Sequence, residues 1–145
     1  MTPRPQRSPG TFAALRLRPG DDLVAGLEAA RDDLRAPALA VAACVGSLRN
    51  ARLRHAGRDG ATAYDGDWEI VSLSGTLDPA HRHLHLSMAD ADGRVVGGHL
   101  LPGATVRTTA EVVLLILDDL AFSRAPCPLS GYDELVVSRR SRATS

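Results

Sequence analysis

The stretch His81-Arg-His-Leu-His-Leu-Ser-Met-Ala-Asp-Ala-Asp-Gly-Arg-Val-Val-Gly-Gly-His-Leu100 decides how this chain is read. Successive side chains of a strand point to opposite faces, so His81, His83 and His85 share one face while Leu84, Leu86 and Met88 share the other. Polar and apolar residues alternate up to Asp90 and resume at Arg94, with a glycine just before the second run. That pattern predicts an antiparallel hairpin of strands 81–90 and 94–101. A three-residue loop, Ala91-Asp92-Gly93 with glycine in the left-handed conformation, pairs Asp90 with Arg94. In that register His85 lies directly opposite His99, Cβ atoms about 5 Å apart, and His83 sits two residues along on the same face. A two-residue Asp92-Gly93 loop is the alternative; it shifts the register by one and turns His99 to the other face. The longer loop is preferred because it also sets Val95 opposite Ala89 and Gly97 opposite Ser87.

Three converging neutral imidazoles are a common ligand set for zinc, with a fourth position left for water or a carboxylate. An open fourth position is what a catalytic zinc uses to generate hydroxide. Gly97 and Gly98 remove side chains beside the cluster and leave room for an ion or small ligand. The plain alternative is a row of solvent-facing strand histidines. His81 falls at the strand's edge, where exposure is expected, and His55 stands isolated among arginines with no part in the set.

Outward from the hairpin, the chain reads as one domain. Phe12 to Leu17 forms a first strand. Pro19-Gly20-Asp21-Asp22 then starts a helix, with an Asp as N-cap. Leu23, Leu27, Ala30 and Leu34 give that helix one apolar face, from Asp22 to about Arg35, before Pro37 stops it. Further strands follow at 39–45, 48–55, 62–64, 68–77, 105–117 and 134–138, separated by turn signals such as Asp65-Gly66, Asp78-Pro79 and Pro102-Gly103. One amphipathic helix among many strands predicts an α+β fold with a mostly antiparallel β-sheet. Residues 1–10 and 139–145 are expected to be flexible ends around a domain at 11–138.

Composition agrees with a folded domain. The chain has 145 residues, 44% hydrophobic and 23% charged. Its longest apolar run, Val112 to Leu117, is far below the roughly twenty residues of a membrane span. No secretory signal is visible, so a soluble cytoplasmic protein is expected, with no membrane partner. All 17 basic residues are arginine, balanced by 17 acids. Five arginines lie near the ends: Arg4, Arg7, Arg139, Arg140 and Arg142. Without them, 12 face the 17 acids, a body of about −5. A folded surface that grips DNA carries the opposite sign, so any DNA contact falls to those five tail arginines.

Other chemistry is thinner. Cys44 and Cys127 have no nearby cysteine partner and read as reduced thiols without a catalytic role. Ser47 lacks the surroundings of a hydrolase nucleophile. Glu69 is expected on a face with Val71, Leu73 and Leu77, an odd place for a carboxylate unless paired, functional or at an exposed strand end. Arg107 and Glu111 share a strand face and fit a charge network.

Several separated motifs resemble one family. Val45-Gly-Ser-Leu48, Trp68-Glu-Ile-Val-Ser-Leu-Ser-Gly-Thr76, His83-Leu-His-Leu-Ser87 and Asp92-Gly-Arg-Val-Val-Gly-Gly-His-Leu100 occur in the order found in the PPC domain (plants and prokaryotes conserved). Thr108-Thr-Ala-Glu-Val-Val-Leu114 and Gly131-Tyr-Asp-Glu-Leu-Val-Val137 fit as well. The resemblance covers about residues 12–137 and is to the stand-alone prokaryotic type. It implies a homotrimer, and zinc held by His83, His85 and His99. It also implies a fold similar to that of acetolactate decarboxylase, whose zinc is held by three histidines. Stand-alone members carry a DNA-binding label through plant relatives that add an AT-hook. This chain has no Arg-Gly-Arg-Pro core, so that minor-groove reader is missing.

Two function classes follow. The first is a trimeric metal-containing module for assembly or regulation, touching DNA through its arginine tails or a partner. The second is a zinc-dependent lyase or hydrolase acting on a small carboxylate. There His83, His85 and His99 would hold the ion, Glu69 or Glu111 would shuttle a proton, and Arg107 would pair with the substrate.

Overall fold

The computed structural model describes residues 4–141. Among these residues, seven strands and one helix follow in the order β1 (Gly10–Leu17), α1 (Leu23–Asp33), β2 (Leu39–Arg54), β3 (Thr62–Leu77), β4 (Arg82–Ala89), β5 (Val95–Leu117), β6 (Leu120–Pro126) and β7 (Asp133–Arg139). Every pairing is antiparallel. A single helix set against antiparallel strands makes this an α+β fold. No helix among the described residues is long and apolar enough to cross a membrane.

The order β1-β5-β2-β3-β4, with β4 also pairing to β5, closes the sheet on itself. The long β5 makes closure possible. One edge pairs first with β4, at 95–99, and then with β1, at 110–117; the other edge runs along β2. Leu84, Leu86, Met88 and Leu100 point inward at 0–2% exposure, and the buried face of α1 (Leu23, Val24, Leu27) joins the same core. α1 begins where expected: Asp22 is the N-cap, and its carboxylate accepts from Ala25 N at 2.8 Å and from Gly103 N at 3.0 Å. It ends at Asp33 with Leu34 as C-cap, slightly short of Arg35, which adopts φ +48°.

Several expected boundaries differ. Strands 39–45 and 48–55 are one strand, as are 62–64 with 68–77 and 94–101 with 105–117. Asp65-Gly66 and Pro102-Gly103 lie inside β3 and β5, because register shifts absorb them without ending the ladder. Gly46 is required within β2: at φ +147° a Cβ there would stand 2.0 Å from the Thr109 carbonyl oxygen. Strand β6 was not anticipated. It pairs with β7 as a separate two-stranded sheet and packs Leu120 and Phe122 on Ala38. Arg139, expected in a flexible end, is the last residue of β7 and pairs with Leu120, and Arg140 follows it: Arg139 Nη1 donates to the Arg7 carbonyl at 3.0 Å and Arg140 N to the Asp119 carbonyl at 2.8 Å. Arg142 lies outside the described residues.

Candidate metal centre

The β4–β5 hairpin turns through Ala91-Asp92-Gly93. Gly93 takes φ +77°, Asp90 N donates to the Arg94 carbonyl at 3.0 Å, and the Asp90 carboxylate accepts from the backbone N–H groups of Asp92 and Arg94, both at 2.9 Å. This three-residue loop sets the register expected from the sequence: Ala89 faces Val95, Ser87 faces Gly97 and His85 faces His99. Since Leu84, Leu86 and Met88 occupy the interior, His83 and His85 stand on the outer face of the barrel.

The three imidazoles converge there. One ring nitrogen from each of His83, His85 and His99 lies within 4.8 Å of the others. His83 Nε2 and His85 Nε2 are 3.2 Å apart, and the ring centroids are separated by 5.0, 5.3 and 5.8 Å. Tetrahedral zinc with Zn–N bonds near 2.0–2.1 Å sets its ligand nitrogens about 3.4 Å apart. The spacing of the first pair suits that ion, and the third nitrogen lies within 4.8 Å of both. The donors also favour the neutral form that a metal needs. Burial, followed by the charges of Arg54 and the neighbouring imidazoles, pulls His99 down to about 4. Burial and then His85 lower His83.

Gly97 and Gly98 do a different job from the one expected. A Cβ at Gly98 would come 2.9 Å from the Arg54 carbonyl oxygen, and one at Gly97 3.0 Å from that of Leu86. The glycines let β2 and β4 close against β5, which brings His99 to its partners. His55 supports the same segment, with Nδ1 3.0 Å from the Gly97 carbonyl oxygen and Nε2 2.7 Å from the Tyr64 hydroxyl. His81 sits apart at the strand edge, half-exposed and 3.5 Å from Asp78.

A shallow cleft over Ser74, Gly75 and Thr76 touches His83 and His85, and two more, of about 320 and 630 Å³, open onto the cluster from the side of Arg54. Arg54 and Tyr132 line both; Arg82, Arg124 and Glu134 line the smaller. These residues come from β2, β4, β6 and the β6–β7 connection and hairpin, so no local motif announces them. Only Arg54 had a usable signal, since it precedes His55 in a strand that ends beside His99.

Glu69, Arg107 and Glu111 are not brought to the histidines. None of them lines any of these clefts. Glu69 pairs with Ala89 and Ser47, at the far end of the β3–β4 ladder from Ser74 and Thr76, which face the histidines. A register shift between Ile70 and Ser72 turns Glu69 and Val71 outward while Leu73 and Leu77 stay buried, correcting the shared face expected for them. Arg107 forms a 2.8 Å ion pair with Asp67, and Glu111 faces Val45 and Arg16. Ser47 is buried, its hydroxyl 2.6 Å from that of Thr108. Burial pushes the Cys44 thiol up to about 11, whereas backbone N–H groups of Ser130 and Leu129 lower Cys127, for which no such influence was expected.

Comparison with known proteins agrees with this architecture. The model of the Plants and Prokaryotes Conserved (PCC) domain matches residues 4–118. The protein named bifunctional protein GlmU of Synechococcus sp. (strain JA-3-3Ab) is 45% identical over 130 residues, 90% of this chain but 21% of that protein. The chain thus spans about a fifth of the curated relatives it matches. Among solved structures, a hypothetical protein from Salmonella cholerae-suis is 45% identical with a TM-score of 0.92, covering 94% of this chain and 99% of that one. The metal-containing protein AF0104 from Archaeoglobus fulgidus is 27% identical with a TM-score of 0.76, over the same shares of the two chains. A candidate DNA-binding protein from Bacteroides thetaiotaomicron, 18% identical with a TM-score of 0.75 over 86% of this chain and 91% of that one, shares the fold.

Proposed function

The chain belongs to the Plants and Prokaryotes Conserved domain family, and we propose that it is a zinc-binding, homotrimeric assembly module whose metal is held by His83, His85 and His99. The observation that carries this reading is the convergence of three imidazole donors from β4 and β5, with no carboxylate among the set. Three nitrogen donors leave one position of a tetrahedral ion open. When bound, zinc would supply Lewis acidity at that position. The similarity to AF0104, described as metal-containing, supports the same reading.

The trimer is supported by an apolar patch on the outer face of β1, β5 and β2. Phe12 and Val45 are 66% and 58% exposed there, with Ala14, Ala43 and Val113 between them in register. Large side chains so exposed on a sheet face mark an association surface.

Direct DNA reading is the less favoured role. Arg139 is 4.0 Å from the Asp119 carboxylate, and it and Arg140 are hydrogen-bonded back onto the domain. Electrophoretic mobility at low salt should show no shift with duplex DNA. The lyase or hydrolase reading loses the proton shuttle and clamp assigned to Glu69, Glu111 and Arg107, since all three stand away from the imidazoles.

The test is zinc titration of chelator-treated protein. Wild type should take up one zinc per chain, and His83→Ala, His85→Ala and His99→Ala should each lose at least about tenfold in affinity. Equal uptake by all three variants would overturn the site.

A further inference from the structure

We propose that the smaller cleft beside the imidazoles binds a small molecule through a carboxylate group clamped between Arg54 and Arg124. The proposal rests on the metal-site reading for its location, but its own support is a guanidinium in the cleft wall, Arg54, that has no ion-pair partner of its own.

Arg54 is the Cα partner of His99, and His99 is in turn the partner of His85, so the three side chains stand in one row across β2, β5 and β4. Arg54 makes no ion pair and no side-chain hydrogen bond among the described residues. An uncompensated guanidinium next to a cation site is unfavourable unless an anion lies between them. The other two arginines of the cleft are anchored from behind. Arg82 pairs with Glu28 at 2.5 Å. Arg124 is held differently: its side chain is 8% exposed, and its Nε faces the 2%-exposed Asp78 carboxylate at 3.5 Å without forming a hydrogen bond. Asp78 is itself fixed, accepting from the backbone N–H groups of Ala80 and His81. Arg124 also lines the cleft, and a guanidinium held beside a buried counter-charge has few conformations to lose on meeting a two-oxygen anion.

Size and charge narrow the ligand. The cleft of about 320 Å³ is at the small end for ligand sites, which excludes large cofactors. Asp133 and Glu134 line it together with Tyr132. These carboxylates oppose a dianion such as phosphate more than a singly charged carboxylate, while leaving acceptors for hydroxyl groups elsewhere on the molecule.

The experiment uses isotope-labelled, zinc-loaded protein titrated with propanoate, with inorganic phosphate as the comparison, followed by amide chemical shifts. Metal content is measured on the same samples. Propanoate should move the resonances of residues 54, 99, 124 and 132 with millimolar affinity, more tightly than phosphate. Arg54→Gln, at an exposed position, should weaken propanoate at least about fivefold and leave zinc content unchanged. Zinc bound with no propanoate response would overturn this proposal alone. A propanoate response at these residues in protein that takes up no zinc would uphold the clamp and overturn the metal reading. Phosphate binding as tightly as propanoate would overturn the assignment to a carboxylate.

Discussion

Gly75→Ala should damage both the fold and the metal centre, by an amount that can be worked out. Gly75 lies in β3 opposite Leu84, at φ +140°, and a Cβ there would stand 1.9 Å from the His83 carbonyl oxygen and 2.9 Å from Leu84 Cα. Backbone atoms cannot rotate away, so β4 must retreat by about 1 Å at His83 or the β3 backbone must change conformation. Overpacking costs about 1–3 kcal/mol, and holding a non-glycine residue in a sparsely populated conformation costs about 1–3 kcal/mol more. Together these give about 2–6 kcal/mol, or roughly 5–20 °C in melting temperature for a chain of this size. Metal–ligand distances tolerate about 0.2 Å, so the same shift should cost at least tenfold in zinc affinity. Gly20→Ala is the control: Gly20 also has positive φ, +94°, but nothing lies within 4 Å of the added Cβ. It should cost about 1 kcal/mol and leave zinc binding intact. Urea denaturation and zinc titration of both variants measure this. A Gly75→Ala protein within about 0.5 kcal/mol of wild type, with unchanged zinc affinity, would refute the packing argument.

Three further outcomes are expected. Asp78→Ala leaves Arg124 buried without its counter-charge and should destabilise the protein by about 3–5 kcal/mol in urea denaturation; a change below about 1 kcal/mol would show that the pair is already solvated. Iodoacetamide at neutral pH should modify Cys127, whose thiol is lowered by N–H donors, and spare Cys44, which burial holds at about 11 and therefore protonated; peptide mass spectrometry showing both labelled at similar rates in native protein would contradict this. Val45→Asp places a charge in the apolar patch on β1, β5 and β2, and should shift the species seen in analytical ultracentrifugation from trimer towards monomer while circular dichroism stays unchanged. A trimer that survives the substitution would move the interface elsewhere.

The site's core was legible because it depends on local chemistry. Alternation in His83-Leu-His-Leu86 assigns faces, and Gly93 supplies the left-handed residue that a three-residue loop needs. Together these fix which residue meets His99. Strand boundaries were less legible, since Pro102-Gly103 and Asp65-Gly66 have turn composition yet sit in continuous strands. A bulge and a turn use the same residues, and only the partner strand decides between them. The same ambiguity misplaced Glu69, whose face reverses across the irregularity at Ile70 and Ser72. Arg54 and Arg124 belong to a third kind of feature. Their meeting at the cleft depends on closure of β5 against β2 and on where the β6–β7 hairpin folds back, contacts between segments tens of residues apart. No periodicity within either segment carries that information.

The central claim, a zinc site built from three histidines of one hairpin, is tested most directly by elemental mass spectrometry of untagged protein as purified, beside His85→Ala prepared identically. The account predicts about one zinc per chain in the wild type and a large loss in the variant. Wild-type protein that carries no zinc and takes none up on reconstitution, or a His85→Ala protein that keeps its full complement, would contradict it.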